Sequence, residues 1–196
     1  METQTDILFI NACVRPESRT LRLARRLLAR LGEPAKVTEL DLQRENLSSL
    51  AAGTLEQRET LLSRGETDSP IFRYARQFAA AERIVLAAPY WDLSFPASVK
   101  TYFEHITVNG VTFSYAADGR PVGHCRAKRL YYVTTAGGPL LPPNHGYGYV
   151  KSLAETFYGI EETVLFSAEL LDVDGMDAEA ILQAAERRID AYFTAG

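Results

Sequence analysis

The sequence predicts an α/β protein, a five-stranded parallel sheet with helices on both faces. Short apolar runs alternate with stretches of helical periodicity, which is the pattern of repeated βαβ units. Four of the five runs are continuously apolar, as strands covered on both faces must be. The chain has 196 residues, and by surface scaling a chain of this size buries roughly 70% of its unfolded surface, so the core needs no disulfide or metal to hold it.

The first strand is expected over Asp6–Asn11. Leu21, Ala24, Leu27, Leu28 and Leu31 then recur on one helical face, and Gly32 ends that helix. Lys36–Leu42 alternates, with Thr38, Leu40 and Leu42 on one side and Glu39 and Asp41 on the other. That is the pattern of a half-exposed edge strand. Ser69-Pro70 offers a hydroxyl cap followed by proline at the first helical position, ahead of Ile71, Ala75, Phe78 and Ala79. The third strand is Arg83–Ala88, and Pro96 opens a helix carrying Val99, Tyr102, Phe103 and Ile106 on one face. The fourth is Lys128–Thr135, followed by Val150, Leu153, Ala154 and Phe157 at helical spacing with Gly159 at the end. The fifth is Glu162–Leu171, and the last helix carries Ile181, Ala185, Ile189 and Phe193.

Two insertions break this rhythm. Gln43–Asp68 is polar, with a short helix expected over Glu56–Leu62. Gly110–Arg129 reads as a β-hairpin, since Val111, Phe113 and Tyr115 alternate and Asp118-Gly119 supplies the turn. There is no linker, repeat or low-complexity tract, so residues 1–196 are expected to form a single domain.

Composition excludes several classes of function. With 21 basic and 25 acidic residues the net charge is −4, without the basic footprint of a nucleic-acid binder. No apolar run approaches the ~20 residues of a membrane span. The N-terminus has neither a basic nor a long apolar segment, so no signal peptide is expected. Cys13 and Cys125 stand far apart and outside any CxxC pair, which reads as two free thiols in a reducing cytoplasm. No metal-ligand spacing is present.

In an open parallel sheet, ligands bind beyond the C-terminal strand ends, and three loops there are unusual. Asn11–Thr20 is neither a GxGxxG nor a GxxxxGK loop. It offers the Ser18 and Thr20 hydroxyls, the free N–H groups of a helix start, and Arg15 and Arg19, so positive charge gathers there in a mildly acidic chain. A plain N-cap and two surface arginines would look the same. Ala87–Pro96 carries Tyr90, Trp91 and Phe95, which suit a flat apolar ligand or the packing of a neighbouring helix or chain. Thr134–Pro139 carries Gly137 and Gly138, where backbone can approach a ligand closely. Leu140–Tyr149, rich in proline, glycine and aromatics, follows as a lid.

At these loops the sequence resembles the flavodoxin-like NAD(P)H:quinone oxidoreductases and FMN-dependent azoreductases. The likeness is carried by Ala88–Phe103, by Gly110–Tyr115 and by Thr134–Gly138, in that order along the chain. The resemblance implies a flavodoxin-like doubly wound sheet of strand order 2-1-3-4-5 and a cytoplasmic homodimer with FMN at the interface. It places the flavin phosphate on Ser18, Arg19 and Thr20. The ring then meets Tyr90, Trp91, Asp92 and Leu93 on one side and Thr135, Ala136, Gly137 and Gly138 on the other. The family usually has serine where Ala12 or Cys13 stands, and Asp92 replaces an asparagine common in the azoreductase branch. A carboxylate there would lower the flavin potential.

The implied activity is a two-electron ping-pong reduction of quinones or azo compounds, with NADH or NADPH as hydride donor. Backbone N–H groups of the Tyr90–Leu93 and Ala136–Gly138 loops would stabilise charge on the reduced ring. A flavodoxin-type electron carrier is the alternative. Such carriers bear a Ser/Thr-x-Thr-Gly-x-Thr loop and a more acidic surface, and neither is seen here. Among the histidines, His105 reads as structural, His124 as exposed, and His145 in the lid is a candidate proton donor.

Overall fold

Strand formation follows the apolar runs closely. The computed structural model describes residues 5–32 and 35–194. Its main sheet contains β1 (Thr5–Asn11), β2 (Ala35–Asp41), β3 (Arg83–Ala87), β6 (Arg129–Thr135) and β7 (Glu162–Ala168). The strands are all parallel, in the order β2-β1-β3-β6-β7. With the hairpin strands β4 (Phe113–Tyr115) and β5 (Pro121–Gly123) set aside, this is the flavodoxin-like order 2-1-3-4-5. The helices are α1 (Arg19–Arg30), α2 (Ala52–Ser63), α3 (Arg73–Ala80), α4 (Ala97–Ile106), α5 (Tyr147–Leu153) and α6 (Ala178–Thr194).

Alternation along each central strand feeds two cores. Ile7, Phe9, Val85, Tyr131 and Val133 face α1 and α6, packing with Leu23, Leu27, Leu182 and Ile189. Leu8, Ile10, Ile84, Leu86, Leu130 and Tyr132 face α3, α4 and α5, packing with Phe78, Tyr102, Phe103 and Tyr158. Burial on both sides is why these runs carry no polar alternation. The edge strand β2 keeps Leu40 buried while Lys36–Glu39 stay exposed.

Several expectations shift. The last strand stops at Ala168, not Leu171, because Leu170 takes a left-handed φ of 65° and turns the chain. Ser69 makes no side-chain cap; Pro70–Phe72 form a single 3₁₀ turn before α3. The helix in the first insertion is longer than expected, and its Arg58 donates to the Glu104 and Thr107 carbonyls at the end of α4. The helix after β6 is α5, continued by a π-helical turn over Ala154–Tyr158 and closed by Gly159 at φ 69°.

The hairpin forms as expected around Asp118-Gly119, although Val111 lies before the strand. It docks on the π-helical turn, with Phe113 and Phe157 ring centroids 4.8 Å apart. A Cβ on Gly123 would come within 2.1 Å of the Gly159 nitrogen, so only glycine permits this approach. Among the described residues no helix is long and apolar enough to cross a membrane, and no cluster of side chains could hold a metal ion.

Candidate functional site

The strand order reverses between β1 and β3, and ligands of open α/β sheets bind at that switch point. The first loop leaves β1 there. The Asn11 side chain braces it: Oδ1 accepts from the Cys13 N–H at 3.0 Å, and Nδ2 donates to Glu39 at 2.9 Å. The Ala12 N–H reaches across to the Ala87 carbonyl. Ser18 is the N-cap of α1, its Oγ accepting from the Leu21 N–H at 3.3 Å. The first N–H groups of α1 thus open beside Ser18, Arg19 and Thr20.

The second loop is pinned by the Tyr90 N–H, which donates to the Thr135 carbonyl at 3.0 Å. Trp91 and Ser94 then exchange backbone hydrogen bonds around a two-residue turn. Both central residues, Asp92 and Leu93, have positive φ (49° and 65°). Such a turn reverses the chain tightly but strains a leucine. It carries Asp92 and Leu93 outward.

The third loop leaves β6. The Thr135 hydroxyl lies 2.6 Å from that of buried Thr20 and ties the third loop to the first. Two hydroxyls bring two protons, and one bond between them uses one, so a donor proton is left over. A fourth segment, unforeseen from the sequence, follows β7. Leu170, Leu171 and Asp172 donate their N–H groups to the carbonyls of Gly138, Ala136 and Gly137.

These loops enclose a cavity of about 400 Å³, within the range of small-molecule sites. Of the expected residues, Ser18, Arg19, Thr20, Tyr90, Trp91, Thr135, Ala136 and Gly137 line it; Asp92, Leu93 and Gly138 do not. Pro89, Leu171 and Asp172 also line it. Size alone does not single it out. A cavity of about 660 Å³ lies between the second loop and the lid, lined by Phe95, Lys100, His145 and Tyr149. Convergence of strand-end loops with hydroxyl, guanidinium and aromatic groups distinguishes the smaller one.

His145 is exposed in that neighbouring cavity and does not line the smaller one; its carbonyl accepts from Ser94 Oγ at 3.5 Å. His105 bonds the Ser48 carbonyl and packs edge-on to Tyr74, and exposed His124 bonds Ser114. Burial pushes the Cys13 thiol up to about 11, against a smaller opposing pull from the Ser18 hydroxyl, and Cys125 up to about 12. Both are inert thiols at neutral pH. Among the described residues the buried Tyr90 hydroxyl has no hydrogen-bond partner.

An anion with a flat apolar body fits this donor set. The cavity has hydroxyls, helix-start N–H groups and guanidinium on one loop, and Tyr90 and Trp91 on another. The N–H groups of Gly137 and Gly138 donate to no protein oxygen among the described residues.

Comparison with known proteins shows the family of the chain. The profile of a family described by its flavodoxin-like fold matches residues 5–193. An FMN-dependent NADH:quinone oxidoreductase of Coprothermobacter proteolyticus is 35% identical over 83% of this chain and 84% of its own length. FMN-dependent NADH:quinone oxidoreductase 2 of Clostridium acetobutylicum is 35% identical over 90% and 92%. The crystal structure of azoreductase AzrA has a TM-score of 0.80 at 25% identity, covering 98% of this chain and all (100%) of that one. An azoreductase from Bacillus anthracis gives 0.83 at 24% identity, with the same coverage, a likeness of fold.

Proposed function

The chain belongs to the family of proteins with the flavodoxin-like fold, and from that premise we propose that it is an FMN-dependent NADH:quinone oxidoreductase, with azo compounds as further acceptors. The observation that carries the reading is the cavity of about 400 Å³ in which the strand-end loops meet. It combines an anion-binding end with an aromatic wall, as FMN requires.

In this reading Ser18, the first N–H groups of α1, the spare proton of the Thr20–Thr135 pair and Arg19 hold the phosphate. Pro89, Tyr90 and Trp91 flank the ring. The Gly137 and Gly138 N–H groups supply donors where negative charge builds up on reduction, as in an oxyanion hole. Bound FMN supplies the two-electron chemistry between NADH or NADPH and the acceptor, in ping-pong order. The whole chain acts as one domain, so the acceptor binds over the cofactor itself. A homodimer is supported by exposed apolar side chains on the strand-end loops and the lid, Val14, Trp91, Leu93 and Leu141. Two buried thiols fit a cytoplasmic setting.

The test starts with purified protein, which should be yellow and release FMN on heating. The single tryptophan, Trp91, lines the cavity, so FMN should quench its fluorescence in apoprotein. NADH consumption stimulated by menadione separates an enzyme from an electron carrier. Ser18→Ala with Arg19→Ala should weaken FMN binding at least tenfold, on the order of one lost charge-assisted contact. A colourless protein that FMN cannot reconstitute would sink the proposal.

A further inference from the structure

Arg15 and Arg19 make the first loop look like a positive anion site in the sequence, but the cavity they line is electrically balanced. Glu17 and Asp172 line it too. Asp172 comes from the far side, on the segment after β7, and its placement is fixed. Its N–H donates to the Gly137 carbonyl at 3.0 Å. Its carboxylate rests so close on Gly137 that a Cβ there would come within 2.4 Å of Oδ2.

Arg19 Nη1 donates to Asp172 Oδ1 at 2.7 Å and to the Leu171 carbonyl at 3.2 Å. Arg19 Nε and Nη2 donate to no oxygen among the described residues, so one edge of the guanidinium is committed and the other is open. The pair is solvated, with 43% and 69% of the side chains exposed. It therefore contributes little to the fold.

We infer that Asp172 sets the affinity and selectivity of the cavity for the phosphate of its ligand. It orients Arg19 through a hydrogen bond and at the same time offsets the charge that attracts the phosphate. This rests on the reading that the cavity takes FMN. A phosphate monoester carries about −1.5 to −2 charges at pH 7. It gains from the open edge of Arg19 and is repelled by the carboxylate on the opposite edge. Asp172→Asn keeps an oxygen acceptor for Arg19 and removes the repulsion. A neutral flavin lacking the phosphate has nothing to gain from the change.

The experiment titrates apoprotein with FMN and, in parallel, with riboflavin, following flavin fluorescence in wild type, Asp172→Asn and Asp172→Ala. Asp172→Asn should tighten FMN by about tenfold, the order of one unit charge acting on a dianion through water-like screening at contact range. Riboflavin should change by less than about twofold, and added salt should shrink the FMN gain. Inorganic phosphate should raise the melting temperature of the Asn apoprotein more than that of wild type. Asp172→Ala should gain less than Asn, because the guanidinium loses its acceptor. Equal or weaker FMN binding in Asp172→Asn, with wild type binding FMN normally, overturns the inference. Equal gains in Ala and Asn overturn its positioning half. Failure of wild type to bind either flavin overturns the functional reading instead.

Discussion

The Thr20–Thr135 contact gives a prediction whose size follows from burial. The two hydroxyls are 2.6 Å apart, Thr20 is 0% exposed and Thr135 9%. Thr20→Val keeps the side-chain shape and deletes one hydroxyl. Thr135 then holds a buried polar group without its partner. A lost hydrogen bond with an orphaned partner costs about 1–3 kcal/mol, so about 2 kcal/mol is expected. For a chain of this length that lowers the melting temperature by about 4–8 °C. Thr135→Val should cost about the same. The double variant removes both polar groups together and should lie close to wild type. Urea denaturation of the apoproteins, followed by far-UV circular dichroism, completes the cycle: two single losses of about 2 kcal/mol each against a double variant near wild type give a coupling energy of about 4 kcal/mol. The double variant should nevertheless bind FMN more weakly, since the pair's spare proton is gone. Additive losses in the double variant would show that the two hydroxyls do not stabilise each other, and the tie between the first and third loops would fall with them.

Two further outcomes follow from buried and strained groups. The Cys13 and Cys125 thiols have folded-state values raised from 9.0 to about 11 and about 12. Their contribution is complete below about pH 9. Above it the unfolded chain releases protons that the native chain keeps, so stability falls by about 1.4 kcal/mol per pH unit for each thiol up to about pH 11. Denaturation midpoints measured from pH 8 to 10.5 should drop accordingly, and a flat profile would contradict the burial of both groups. At the second loop, Asp92→Asn with Leu93→Gly places the preferred residue pair in a turn whose central φ values are both positive. Relief of about 1 kcal/mol should raise the melting temperature by about 2–4 °C. An unchanged midpoint would mean that Leu93 carries no strain there.

The sequence patterns that were legible are those in which one physical cause dominates. β1, β3 and β6 are covered on both faces, so their apolar runs match the observed strands to within a residue at each end. Eight expected site residues converge because each loop leaves the C-terminal end of a parallel strand, and topology alone brings those ends together. Where two causes compete, the pattern misleads. Glu169-Leu170-Leu171 is apolar enough to prolong β7, but Leu170 adopts φ 65° and starts a loop. No glycine or asparagine announces that turn, and none announces the Asp92-Leu93 turn that carries two expected contacts outward. α2 runs beyond the expected Glu56–Leu62 without a sequence signal, because its apolar residues, Leu55, Leu61 and Leu62, define no strong face; one buried group, Arg58, ties it to α4.

The hidden turn at Leu170 has the larger consequence. Read as strand, the chain after Ala168 cannot reach the cavity, and the charge of the site is then taken from the first loop alone. Read as loop, it delivers Asp172 to Arg19 across 153 residues of sequence. Local charge counts are reliable when the charges of a site come from one segment. Here the balancing carboxylate comes from the opposite end of the chain, held by the Gly137 backbone rather than by any motif. The phosphate end of this cavity is therefore a matched pair with one open guanidinium edge, not a simple positive cluster. Its preference for an anion over a neutral ligand depends on how firmly that pair is held.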